Sequence, residues 1–244
     1  MRAVLRWLLL VVIAGLALQV TFLLRIAAAA YIDPQSTSFQ RSEAYRVLAE
    51  KGRLPWRQEW VPYARISDSL KRAVIASEDD SFVNHDGVDW EAMEKAWERN
   101  AKAEAQASRR TQSRPNAPQR APKIVGGSTI TQQLAKNLLL SGERTLLRKG
   151  QEIILTFALE RMLSKQRILE IYLNSVEWGE GIFGAEAAAR HYYRKGANQL
   201  TAYEAARLAV MLPRPKYFEK LPNSGYLASR AGTIAARMPH AELP

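Results

Sequence analysis

The stretch "AVIASEDDSFVNHDGVDW" (73–90) joins an apolar run to three consecutive acids, Glu78, Asp79 and Asp80, then to Phe82, Asn84, His85 and an Asp-Gly pair. With the preceding "SDSLKR" it reads as a helix. Ser67 or Asp68 can cap it, and Leu70, Val74 and Ser77/Glu78 follow at helical spacing. The helix therefore ends in acids, where the macrodipole disfavours negative charge. Local conflicts of this kind are expected at functional sites. A calcium loop does not fit: with Gly87 at its sixth position, Phe82 and Met93 fall where an acid and a glutamate are needed. Zinc fits no better, because the only histidines are His85, His191 and His240 and no H-E-x-x-H pair occurs. A solvated helix end and a catalytic carboxylate remain, with Phe82, His85 and Gly87 shaping the turn and Asp80 facing solvent.

Outward from this stretch, the N-terminus is the next strong signal. Arg2 and Arg6 precede an apolar run from Trp7 to Leu24, close to the ~20 residues that span a bilayer core. Trp7 and Tyr31 sit like interfacial aromatics, and Arg25 can snorkel. "AAAA" (27–30) resembles a leader cleavage site, but the run exceeds the about 7–15 residues of a leader's apolar region. The reading is an uncleaved anchor with a cytoplasmic N-terminus, by the positive-inside rule. The 244-residue chain has a net charge of +11 and no cysteine. Disulfides and thiolate metal sites are excluded. An external domain makes nucleic acid an unsuitable partner, so the charge points to a membrane-borne anionic substrate.

The expected organisation is a cytoplasmic N-terminus (1–6), an anchor (7–32), a polar connector (33–69) and a catalytic domain (70–244). In the connector, Trp56 and Trp60 are spaced as on one helix face, within two turns bounded by Pro55 and Pro62. "WEAMEKAWERNAKAEAQA" predicts a helix with Met93, Ala96 and Trp97 on its inner stripe. The segment 108–123, rich in Pro, Ser and Arg, predicts a mobile basic loop within an insert spanning about 101–123. Further helices follow from "TITQQLAKNLLL", "TLLRKGQEIILTFALERML", "SKQRILEIYLNSV" (capped by Ser164), "GAEAAARHYY" and "TAYEAARLAVML". Pro213 and Pro215 end the last of them. No alternating strands compete, so the fold class is mainly α.

Two more constellations carry polar chemistry. In "GGSTITQQLAKN" (126–137), Gly126-Gly127 permits a tight turn, and Thr129 with Gln132 has capping-box spacing. The first-turn N–H groups offer an anion site. Gln132 and Lys136 are four apart, with Gln133 adjacent. In "ERTLLRKGQE" (143–152), Arg144, Arg148 and Glu152 repeat every four residues, as a surface ladder or a cationic rim for phosphates.

These residues, with "RILEIYLN" (167–174) and "GEGIFGAEAAARHYY" (179–193), resemble the monofunctional biosynthetic peptidoglycan glycosyltransferases. These are lysozyme-like enzymes related to the first domain of bifunctional penicillin-binding proteins. The resemblance runs from about residue 70 to the C-terminus. It implies a lysozyme-like glycosyltransferase domain behind a single transmembrane helix, polymerising lipid II with inversion and release of undecaprenyl pyrophosphate. It implies Glu78 as general base, Glu152 as a second catalytic residue orienting cations, and Lys136, Arg144 and Arg148 on the pyrophosphate. Gln132 and Gln133 would line the sugar site, and Asp79 and Thr131 complete the substrate-binding set. No metal ligand is assigned, and a divalent cation, Mg2+ or Mn2+, is compatible with the pyrophosphate. Implied partners are lipid II, the growing glycan strand and cell division or elongation proteins. The implied location is the bacterial inner membrane, single-pass, with the catalytic domain periplasmic. The S-x-x-K, S-D-N and K-T-G signatures of a transpeptidase are missing from the sequence, so the chain is expected to be monofunctional. The alternatives are a lysozyme-like glycan hydrolase and a non-catalytic lipid II-binding scaffold.

Overall fold

The computed structural model describes residues 2–113, 126–140, 142 and 145–244, with 110–113 described by backbone alone. The apolar N-terminal run forms α1 (Arg2–Ala29), roughly 42 Å long at 1.5 Å per residue. The chain continues through α2 (Ser38–Lys51), β1 (Arg57–Gln58), α3 (Asp68–Glu78), α4 (Trp90–Ser113), α5 (Ile130–Leu139) and α6 (Leu146–Met162). It ends with α7 (Lys165–Ser175), β2 (Glu177–Gly179), β3 (Ile182–Phe183), α8 (Ala185–Tyr193), α9 (Ala202–Met211), α10 (Pro215–Glu219) and α11 (Gly225–Arg237).

The core is helix on helix. α3 packs on α9 and α11, and α5 packs on α2, α6 and α7. Leu70, Ile75, Leu134, Leu155, Leu159, Ile168, Tyr172, Leu208 and Ile234 are fully buried between them. Each fully buried aliphatic side chain contributes about 1.5–3 kcal/mol. Local capping sets the helix starts: Ser67, Thr129, Thr145, Ser164 and Thr201 each accept a backbone N–H of the following turn.

α1 is mostly exposed, but Phe22, Ile26 and Ala29 are buried against the rest of the chain. The Arg167 guanidinium clamps its end, donating to the Ala29 carbonyl at 2.8 Å and pairing with Asp33 at 2.8 Å. This places a cation where the helix dipole is negative. Farther along α1, the Gln19 and Gln151 side-chain amides exchange two hydrogen bonds of 2.8 and 2.9 Å with each other.

Several expectations are corrected. Trp56 and Trp60 do not share a helix; residues 57–58 are extended and pair in parallel with β3, and Trp56 packs on Phe183. The connector also holds the 14-residue α2, started by a Thr37–Gln40 capping box. In α4, Ala96 is buried and Met93 half-buried, but Trp97 is turned to solvent. The reason is close packing on Gly127, where an added Cβ would lie 3.1 Å from the Ala96 Cβ and 3.2 Å from the Met93 Cα. Gly127 therefore serves a close approach rather than the expected tight turn. α4 runs to Ser113, so the first part of the expected insert is helix; the remainder, 114–123, lies outside the described residues. α9 does stop before Pro213, but Pro215 opens α10 at its first turn, where proline is tolerated, and α11 follows.

Candidate active site

The three acids that end α3 have three different surroundings. Asp80 is exposed and pairs with Arg237 at 3.0 Å. Asp79 turns inward: its Oδ1 meets His85 Nε2 at 2.9 Å and its Oδ2 accepts the Ile130 N–H at 2.9 Å. The carboxylate thus answers the N-terminus of α5, which is why an acid tolerates the end of α3. It also fills the expected anion site with the chain's own charge, so Asp79 braces the end of α3, while still lining a small space beside Glu78. His85 Nδ1 accepts the Gly87 N–H at 3.1 Å, which leaves Nε2 as the donor to Asp79. Gly87 has φ +89°, and a Cβ there would meet Thr156 Cγ2 at 2.7 Å and Glu160 Cγ at 2.8 Å. The turn therefore requires glycine.

Glu78 remains open to the cleft. Its Oε2 accepts from Gln133 Nε2 at 3.0 Å, and Ser77 Oγ lies 3.5 Å from Oε1. The buried Tyr172 hydroxyl donates to Gln133 Oε1 at 3.0 Å, fixing which end of the amide faces Glu78. Burial pushes the Glu78 carboxyl above the ordinary glutamate range, and the Asp79 charge adds to the shift; Gln133, Ser77 and the Lys136 charge oppose it.

A cleft of about 600 Å³ opens beside this group, lined by Gln132, Gln133, Lys136, Asn137, Arg148, Lys149, Glu152 and Glu177 among others. Glu152 is buried, with Arg148 Nη1 2.9 Å from Oε2 and Lys149 Nζ on Oε1. It holds the two cations in place. Gln132 closes the capping box through Oε1, while its Nε2 is buried without a partner, as is Arg148 Nε. Both residues line the cleft. Buried donors left unpaired cost about 1–3 kcal/mol each, so these two call for an acceptor-rich ligand. Glu78 itself lines a smaller space of about 280 Å³, together with Asp80, Asp89, Lys95, Arg99 and Ser128. Ser128 lines both spaces, and Gln133 of the larger one reaches Glu78 by its hydrogen bond.

Not every expected residue is part of this wall. Thr131 is fully buried and donates to Glu160 Oε1 at 2.5 Å, behind α5 rather than in the cleft. Arg144 lies outside the described residues. Both oxygens of Glu152 are already engaged by cations, and among the described residues no three acidic or histidine side chains converge as metal ligands. Among the described residues, Glu152 is therefore engaged by Arg148 and Lys149 rather than left open to a metal ion. Lys149, Tyr172 and Glu177 were not singled out in the sequence. Lys149 sits inside the "RKGQE" match and could have been found there; Tyr172 and Glu177 reach the site only through folding.

A carboxylate base candidate beside a cationic cleft, on a helical lysozyme-like frame, is the equipment of a glycosyltransferase. A family model described as Transglycosylase matches residues 46–239, and the chain belongs to that family. The chain is 51% identical over 234 residues to the biosynthetic peptidoglycan transglycosylase of Paraburkholderia xenovorans, covering 96% of this chain and 90% of that one. It is 47% identical to the protein of the same name from Herminiimonas arsenicoxydans, over 100% and 99% of the two chains. A third such protein, from Bordetella pertussis, is 52% identical over 88% and 84%.

Proposed function

We propose that this chain is a peptidoglycan glycosyltransferase that polymerises lipid II. The observation that carries the reading is the pair of unpartnered donors, Gln132 Nε2 and Arg148 Nε, in a cleft that also holds Lys136 and Lys149. That wall suits a pyrophosphate. Glu78 takes the proton from the acceptor's 4-hydroxyl as that oxygen attacks C1 of the donor MurNAc. The C1–O bond to pyrophosphate breaks with inversion, and the leaving group carries its electron pair to Lys136, Arg148 and Lys149. Stabilising charge that develops in the transition state is an electrostatic contribution to rate. A hydrolase would instead need an acid to protonate a sugar leaving group, and cations serve that task poorly. The test is turnover of lipid II by the purified full chain. Glycan strands should form, and Glu78→Gln should abolish them; undiminished polymerisation by that variant overturns the assignment of the base.

We also infer a single-pass inner-membrane protein with its catalytic domain on the outer side. In support, α1 is apolar and long enough to span a bilayer. Gln19, ten residues before its end, bonds to Gln151 of α6, beside the exposed Leu146 and Leu147. The start of α6 then enters the headgroup region. A depth-dependent quencher in vesicles should reach a fluorophore at position 147, and an unquenched probe counts against this placement.

A further inference from the structure

Glu177 lies on the wall of the same cleft formed by α2 and β2, together with Glu43. It is 6% exposed, and its Oε1 has no hydrogen-bond partner. The nearest cation, Lys216 Nζ, stands 3.4 Å away, but that ammonium is closer to Glu43, which Arg46 also holds at 2.9 Å. The backbone behind Glu177 is rigid. The Trp178 indole donates to the Leu208 carbonyl at 3.1 Å, the Tyr192 hydroxyl donates to the Trp178 carbonyl at 2.8 Å, and β2 is paired with β3. The cleft therefore presents two unpartnered donors from α5 and α6 and, from β2, one acceptor answered only by the long Lys216 ion pair at 3.4 Å.

We propose that Glu177 is a specificity-determining residue for the donor, its Oε1 accepting a hydrogen bond from an amide N–H or hydroxyl of an N-acetylated amino sugar. This deepens the polymerase reading and rests on it. Charge complementarity divides the donor between the two walls. An anionic phosphate is drawn to Lys136, Arg148 and Lys149 and repelled by Glu43 and Glu177, so the neutral, donor-bearing sugar faces β2. Burial raises the Glu177 carboxyl to about 7; the Lys216 charge opposes this, and the Glu43 charge adds to it. The charged and titratable groups around it are Lys216 from α10, Glu43 and Arg46 from α2, and Tyr192 from α8. The ionised form is the stronger acceptor, so donor affinity weakens as pH falls through this range.

The experiment compares lipid II kinetics with binding of undecaprenyl pyrophosphate, which lacks the sugar. Glu177→Leu should raise KM about tenfold, the weight of one hydrogen bond, with kcat little changed and sugar-free binding intact. An unchanged KM, or equal weakening of the sugar-free ligand, overturns the proposal. If Glu177→Leu does not fold, Glu177→Gln decides: the parent's KM should climb below about pH 7 while the variant's stays flat. Identical pH responses overturn it. Glu78→Gln run in parallel separates the two readings. If it still polymerises, the assignment of the base fails; if it is dead and Glu177 variants are silent, this inference alone fails.

Discussion

The two spaces of the site treat a glutamate in opposite ways. Around Glu152, Arg148 and Lys149 take one carboxylate oxygen each. Around Glu78, one amide at 3.0 Å is the main answer, and burial raises the carboxyl's proton affinity. A fully answered carboxylate holds its neighbours in place; an under-answered one is left a better proton acceptor than an ordinary glutamate. The difference lies in the supply of partners as well as in exposure, Glu152 being buried and Glu78 half-buried.

Breaking the contrast at Glu78 has the largest expected effect. Glu78→Gln keeps the shape and removes the base, so kcat should fall about 10²–10⁴-fold, with a melting temperature at neutral pH no lower than the parent's, because the raised pKa makes the ionised form a cost to folding. Next is Glu152→Gln, which leaves Arg148 and Lys149 short of a countercharge. A loss of roughly 2–3 kcal/mol in denaturant unfolding is expected, together with weaker binding of undecaprenyl pyrophosphate. Gln133→Leu sharpens the comparison from the other side. Its hydrogen bond lowers the Glu78 pKa, so removing it raises that pKa, and the acidic limb of kcat/KM should move to higher pH. Tyr172→Phe should move it less. The smallest effect is on stability at Glu177. Its folded pKa of about 7 lies above the unfolded value, so its protonated form is favoured by folding. The parent should therefore lose stability relative to Glu177→Gln as pH rises from the ordinary glutamate range through about 7. Parallel stability curves would remove Glu177 from the set of under-answered carboxylates.

Much of this was legible locally. Ser67, Thr129 and Ser164 cap the helices expected of them because a cap and its partner lie within three residues. Glu78 stood out because the end of α3 opposes the dipole. What was hidden depends on distant partners. Asp79 is answered by Ile130, 51 residues on, and Thr131 by Glu160, 29 residues on. No spacing rule could separate these braces from the residues that face the cleft. α2 lacks a clear apolar stripe, and only Val47 and Gln40 are buried; its Thr37–Gln40 capping box was the one available signal. Trp56 and Trp60 show a spacing that fits a helix, overridden by pairing with β3, which is 125 residues away.

The mutual amide pair of Gln19 and Gln151, with the Arg167 clamp on the end of α1, means that the membrane helix is a hinge pin rather than a leash. On the proposed orientation the domain turns and tilts with α1 as one body rather than swinging on a free tether. The cleft then keeps close to the lipid plane, and finding a lipid-borne substrate becomes a search in two dimensions.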